Sequence, residues 1–202
     1  TAHILSLESM IARNLGIRMS GNAIKKLEVA DASELFESRQ LVIAARSNIE
    51  IIKHLTETIK NVQKEVKSRV KLRKKFQLLM TIPGIGEILA LTILLEVGDI
   101  KRFAKVGNYS SYCRCVRSER ISNGKKKSKN NKRNGNAYLS WAYVEAANFT
   151  RRFCPKAQRF YQRKKAKTNL IVATKALANK ICRASYYVMR DEIPYDTGKL
   201  FG

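Results

Sequence analysis

Residues 76–97 read FQLLMTIPGIGEILALTILLEV. One helix ends near Met80. Ile82-Pro83-Gly84-Ile85-Gly86 then makes a tight turn, because proline lacks an amide donor and the two glycines permit positive φ and a close backbone approach. An apolar helix, Glu87 to Val97, starts at once, and Gly98-Asp99-Ile100 closes it. Two helices joined by so short a turn define a compact helical core, and the rest of the chain reads as helices around it. Downstream, Ala137 to Phe153 is rich in Ala and aromatics, starts after Asn134-Gly135-Asn136 and stops at Pro155. Lys156 to Lys165 is basic and helical, and Asn169 to Arg190 forms the last helix, followed by a short tail.

Upstream, Ile4 to Arg13 forms a short amphipathic helix ended near Gly16, and Ser20-Gly21-Asn22 caps a second helix over Ala23 to Leu35. A long helix follows from about Ser38 to Arg73. Ile52, Leu55, Ile59, Val62 and Val66 alternate steps of three and four, the spacing of a coiled-coil seam. The seam is short, so pairing within the chain competes with pairing between copies. Strand signals are scarce. The expected fold is mainly α: a long helical hairpin or coiled coil over residues 1–75, then a compact helical domain over 76–202 with an irregular basic loop.

That loop is Arg114 to Arg133, RCVRSERISNGKKKSKNNKR, with nine Lys or Arg and a single acid, Glu119. It lacks hydrophobic periodicity, and Ser122-Asn123-Gly124 marks a turn. Such charges stay solvated or are neutralised by a partner. Tyr109 and Tyr112 precede it and Tyr138 follows, and basic residues interleaved with aromatics suit phosphate contact with base or sugar stacking. The whole chain of 202 residues carries a net charge of +24, which points to nucleic acid before an anionic membrane surface. No apolar run approaches the roughly 20 residues that span a bilayer.

Catalytic equipment is incomplete. Ser118, Ser122, Ser128 and Ser140 are available hydroxyls, but a serine nucleophile needs an activating base, and His3 and His54 are remote in sequence. Glu87, Glu96, Asp99, Glu119 and Glu145 show no spacing that suggests a metal site. Cys113-x-Cys115 is not a zinc spacing, and the four cysteines read as reduced thiols, mostly in the core.

The turn Ile82 to Gly86 resembles the helix-hairpin-helix turn of non-sequence-specific DNA-binding proteins, in which backbone amides and a helix N-terminus hold a phosphate oxygen. Its supporting charge would come from Lys74, Lys75 or Lys101, since Glu87 stands at the turn itself. Together with Phe103 to Lys125 and Asn134 to Ala147, in that order, it resembles the C-terminal half of the DEDD-type insertion-sequence transposases. That family includes Piv-type invertases and bridge-RNA-guided recombinases. The resemblance implies an N-terminal RuvC-like domain whose four acids bind Mg²⁺, oligomers joined by a coiled coil, and a C-terminal serine that attacks a DNA phosphate.

On this resemblance Ser122 is the candidate nucleophile, with Ser140 behind it because it lies inside an apolar helix. Pro83, Gly84, Gly86, Arg114, Arg117, Arg120, Gly124, Lys125, Lys126, Lys127, Lys129, Lys132, Arg133 and Asn136 are the candidate DNA contacts. DNA is the expected partner, with a guide RNA and further copies of the chain beside it. No membrane is involved, and the expected location is the bacterial cytoplasm, on the nucleoid. The chain itself should hold no cofactor, Mg²⁺ belonging to the RuvC-like domain. The simplest account is a truncated or split transposase, inactive alone. The alternative is a free-standing, non-sequence-specific nucleic-acid-binding protein.

Overall fold

The computed structural model describes residues 1–70, 73–116, 119–129 and 134–201, with the backbone alone at 119–122 and 126–129. The chain is mainly α-helical and divides into two compact units, Thr1–Ser68 and Arg69–Gly202.

The first unit holds α1 (Ala2–Leu15), α2 (Gly21–Ile24), α3 (Asp31–Leu35) and most of α4 (Arg39–Val70). Gly16 ends α1 in the left-handed conformation at φ 68°. The expected helix over 23–35 is two short helices instead. The Asp31 carboxylate accepts the Glu28 amide at 2.8 Å, which favours a turn over a continued helix. Leu7, Ile11, Ile24, Ala32, Phe36, Ala45, Ile49 and Ile52 form the core. Of the expected coiled-coil seam, only Ile52 joins that core. Leu55, Ile59 and Val62 remain 46%, 55% and 57% exposed, so the first unit does not bury this stripe in its own core.

The second unit holds α5 (Lys74–Leu79), α6 (Glu87–Val97), a 3-10 turn at Ile100–Arg102, α7 (Val106–Tyr112), strands β1 (Glu119–Ser122) and β2 (Lys125–Lys129), α8 (Ala137–Phe153), α9 (Pro155–Lys167), α10 (Leu170–Asp191) and α11 (Thr197–Phe201). Helix α10 is its centre, packed against α5, α7, α8 and α9. It buries Ala173, Leu177, Ala178, Ile181, Cys182, Ser185, Tyr186, Val188 and Met189. The starts of α8 and α10 are set by asparagine caps: Asn136 and Asn169 accept the Leu139 and Val172 amides, each at 2.9 Å. Pro155 occupies the first turn of α9, where its missing donor is no loss.

A chain of hydroxyls runs through the core of this unit. Tyr109 and Tyr143 share a hydrogen bond at 2.5 Å, Tyr143 and Ser185 another at 2.5 Å, and Ser185 donates to the Cys182 carbonyl at 2.9 Å. Burial pushes the Tyr109 and Tyr143 phenols and the Cys182 thiol well above their ordinary values, and raises Tyr195 to about 12. Each folded group keeps its proton to higher pH than the unfolded chain does. Their contribution is whole below the ordinary thiol and phenol values of 9.0 and 10.0 and is lost as pH rises from there toward the folded values. Alkaline titration in high salt, which screens surface repulsion, should therefore lower the melting temperature steadily above about pH 9. A melting temperature constant up to about pH 11.5 would contradict the folded-state shifts.

Candidate nucleic-acid interface

The basic segment expected to be irregular contains an antiparallel hairpin. Glu119 pairs with Lys129, Arg120 with Ser128, Ile121 with Lys126 and Ser122 with Lys125. The register slips between Arg120 and Ile121, leaving Lys127 as the extra residue of a bulge. Asn123 and Gly124 connect the strands at φ 51° and 69°. Asn-Gly in the left-handed region is the favoured two-residue hairpin loop, because its twist matches that of the strands. Asn123, Gly124 and Lys125 are exposed at the tip. The side chains of Arg120, Ser122, Lys126, Lys127 and Lys129 lie outside the described residues, as do Arg117, Ser118, Lys132 and Arg133 altogether.

The base of the hairpin is clamped. Arg114, at φ 54°, donates from Nε to the Asn134 carbonyl and from Nη2 to the Gly135 carbonyl, both at 2.9 Å. The Asn136 amide donates to the Tyr112 carbonyl at 2.7 Å. Gly135 is at φ 84°, and a Cβ there would clash with that same carbonyl oxygen. Asn136 also caps α8 and donates from Nδ2 to Glu96 at 2.5 Å. Arg114 and Asn136, expected as DNA contacts, thus hold the two ends of the insertion together. Ser140 is half-buried in the first turns of α8.

The aromatic expectation changes too. Tyr109 is fully buried and serves the core. Tyr112 is half-buried, with the Arg102 guanidinium 4.7 Å from its ring centre, so one ring face is already covered. Tyr138, at 66% exposure, remains open for stacking.

The turn between α5 and α6 also differs from expectation. Only Gly84 takes positive φ, at 87°, whereas Gly86 is extended at −88°. A Cβ on Gly84 would lie 2.5 Å from Thr150 Oγ1, 2.6 Å from the Ala146 carbonyl oxygen and 2.6 Å from the Thr150 nitrogen. Thr150 Oγ1 lies 2.5 Å from the Pro83 carbonyl, to which it donates across the contact. Gly84 thus lets the turn dock on α8. A Cβ on Gly86 meets nothing within 4 Å, and no side chain caps the start of α6. The surroundings are apolar: Met80, Ile88, Phe149 and Phe153 line the cleft with the turn. Two of the lysines expected to supply charge, Lys74 and Lys75, pair with Glu192 at 3.2 and 4.0 Å.

Residues 76–162 match a transposase family model. The matching model is that of the Transposase IS116/IS110/IS902 family, and the match supports residues 76–162 as a C-terminal region of such a transposase. The match runs from α5 through the hairpin into α9. The match supports a role in transposition or recombination in general, and a transposase family implies DNA as partner. No curated protein matches the chain. Among the described residues, no helix is long and apolar enough to cross a membrane, and no three His, Cys, Asp or Glu side chains gather as metal ligands.

Proposed function

We propose that the hairpin binds DNA and presents Ser122 as the nucleophile of strand exchange. One observation carries this reading. Ser122 is the last residue of β1, paired with Lys125 across the Asn123-Gly124 turn, and β2 is Lys125-Lys126-Lys127-Ser128-Lys129. A phosphate drawn to these cations comes beside the serine. In the step, Ser122 Oγ bonds to phosphorus and the P–O3′ bond breaks. The serine proton passes to a base, and the departing 3′ oxygen takes up a proton to become a hydroxyl. The product is a 5′-phosphoserine link, which a second 3′ hydroxyl attacks to complete the exchange.

The activating acids and Mg²⁺ belong to a RuvC-like domain, and residues 1–202 without it are inactive. The exposed stripe Leu55, Ile59 and Val62 joins copies of the chain. A guide RNA is a further partner of the assembled enzyme.

The hairpin is tested by replacing Lys125, Lys126, Lys127 and Lys129 with Gln and titrating duplex DNA against salt. Each lost phosphate contact removes about 0.9 from the slope of log affinity against log salt. The variant should bind about ten- to a hundredfold more weakly at moderate salt, with a slope shallower by about 3.6. Parent-like affinity and slope would sink the hairpin as the DNA contact.

A further inference from the structure

The largest uncompensated charge in the chain is not in the hairpin. Between Ala146 and Met189 there are eleven Lys or Arg and no Asp or Glu, whereas 114–133 holds nine and one acid. Helix α9 carries the densest part. Its buried side is Ala157 and Tyr161. Lys156, Arg159, Arg163 and Lys167, at steps of three, four and four, fall on one exposed stripe of this helix. None of the four has an ion-pair partner among the described residues. Over eleven residues at 1.5 Å each, the stripe is about 16 Å long. That length matches about five phosphates of one strand at 3.4 Å per step.

A solvated face explains this arrangement poorly. On α4 the lysines alternate with Glu57 and Glu65, as charges kept for solubility do. On α9 the stripe sets Arg159, Arg163 and Lys167 at like-charge i, i+4 spacing, and places Lys156 near the positive end of the helix dipole. Both features lower helix stability, and a polyanion laid along the stripe reverses both. Beside the stripe, Phe160, Lys164, Ile171, Val172 and Lys175 line a groove between α9 and α10 that reaches Val116, where the chain enters the hairpin. Lys164, Lys175 and Lys180 give this groove its cations, on the α9 and α10 side.

We infer that α9 is a second nucleic-acid contact, holding the phosphate backbone without reading sequence, on a surface separate from the Ser122 hairpin. The inference rests on the reading of this region as a nucleic-acid binder. Four contacts of this kind add about 3.6 to the salt slope and at least about tenfold to affinity at moderate salt.

The test uses the full chain with a labelled duplex DNA in two unrelated sequences and an RNA duplex of the same length. Lys156, Arg159, Arg163 and Lys167 are replaced together by Gln, which keeps the helix. A control variant replaces Lys25, Lys26, Lys60 and Lys64 by Gln, removing equal charge from the first unit. Circular dichroism checks that both fold, and single replacements Arg159→Gln and Arg163→Gln are used if the fourfold α9 variant does not. The α9 variant should lose at least about tenfold, equally for both DNA sequences, while the control changes by less than about threefold. Loss confined to DNA or to RNA names which backbone α9 holds and supports the inference either way. Parent-like binding by the α9 variant, or equal loss in the control, overturns it. In that event the hairpin variant separates the two claims: if it still loses affinity, only α9 has failed.

Discussion

Ser122→Ala is expected to abolish strand exchange while leaving DNA binding within about twofold. Assembled with a RuvC-like domain and a substrate bearing element ends, the variant should be slower by on the order of 10⁶-fold, the scale seen when a serine nucleophile is removed. Binding should survive because the loss is one hydroxyl, whereas the proposed phosphate contacts are the cations of β2 and α9. The fold should survive too. Positive φ is carried by Asn123 and Gly124, not by Ser122, so alanine is compatible with this end of β1. A variant with full exchange activity removes Ser122 from the chemistry. Ser140→Ala is the companion variant, and loss of exchange there with folding intact would move the nucleophile to α8.

Gly84→Ala is expected to lower the stability of the second unit by about 3 kcal/mol, combining an added methyl in a packed contact with a side chain at positive φ. The clash is with the Ala146 carbonyl oxygen and the Thr150 nitrogen at 2.6 Å, which belong to the α8 backbone and do not yield by a rotamer change. For a unit of this size the melting temperature should fall by roughly 10 °C. Gly86→Ala gives the contrast. Its methyl enters open space at ordinary φ, so stability should change by no more than about 0.5 kcal/mol. If the amides of this turn also hold a phosphate, Gly86→Ala weakens DNA binding severalfold with the melting temperature unchanged. Thermal melts of both variants beside their DNA affinities separate packing from binding. A mild Gly84→Ala would contradict the docking of the turn on α8.

The helical plan was legible because long elements announce themselves through period and caps. Gly16, Asn136, Pro155 and Asn169 mark their boundaries in the sequence and keep those roles in the fold. The short pieces were less readable. A carboxylate at Asp31 breaks what apolar spacing makes one helix. The hairpin was hidden because its strands carry charge where strands usually alternate apolar and polar residues, so Asn123-Gly124 read as an isolated turn.

Sorting the site residues required geometry. Nothing in the sequence distinguishes Arg114 from Lys125, yet one clamps the insertion and the other is exposed at its tip. Tyr109 and Tyr138 look alike as stacking candidates until burial puts the first in the core. Of the stripe on α9, the sequence showed a basic helix over Lys156 to Lys165. Its significance came from its exposed, unpaired face, which only the packing of Ala157 and Tyr161 against the unit reveals.

The central claim is that Ser122, at the tip of a basic hairpin, forms the covalent link to DNA. Its most direct test is to trap the protein–DNA intermediate with a nicked substrate, digest it, and map the nucleotide-bearing peptide by mass spectrometry. The digest should hold a nucleotide on Ser122 through its 5′ phosphate, and Ser122→Ala should give no adduct. A nucleotide on Ser140 or another residue, or an undiminished adduct in Ser122→Ala, would contradict it.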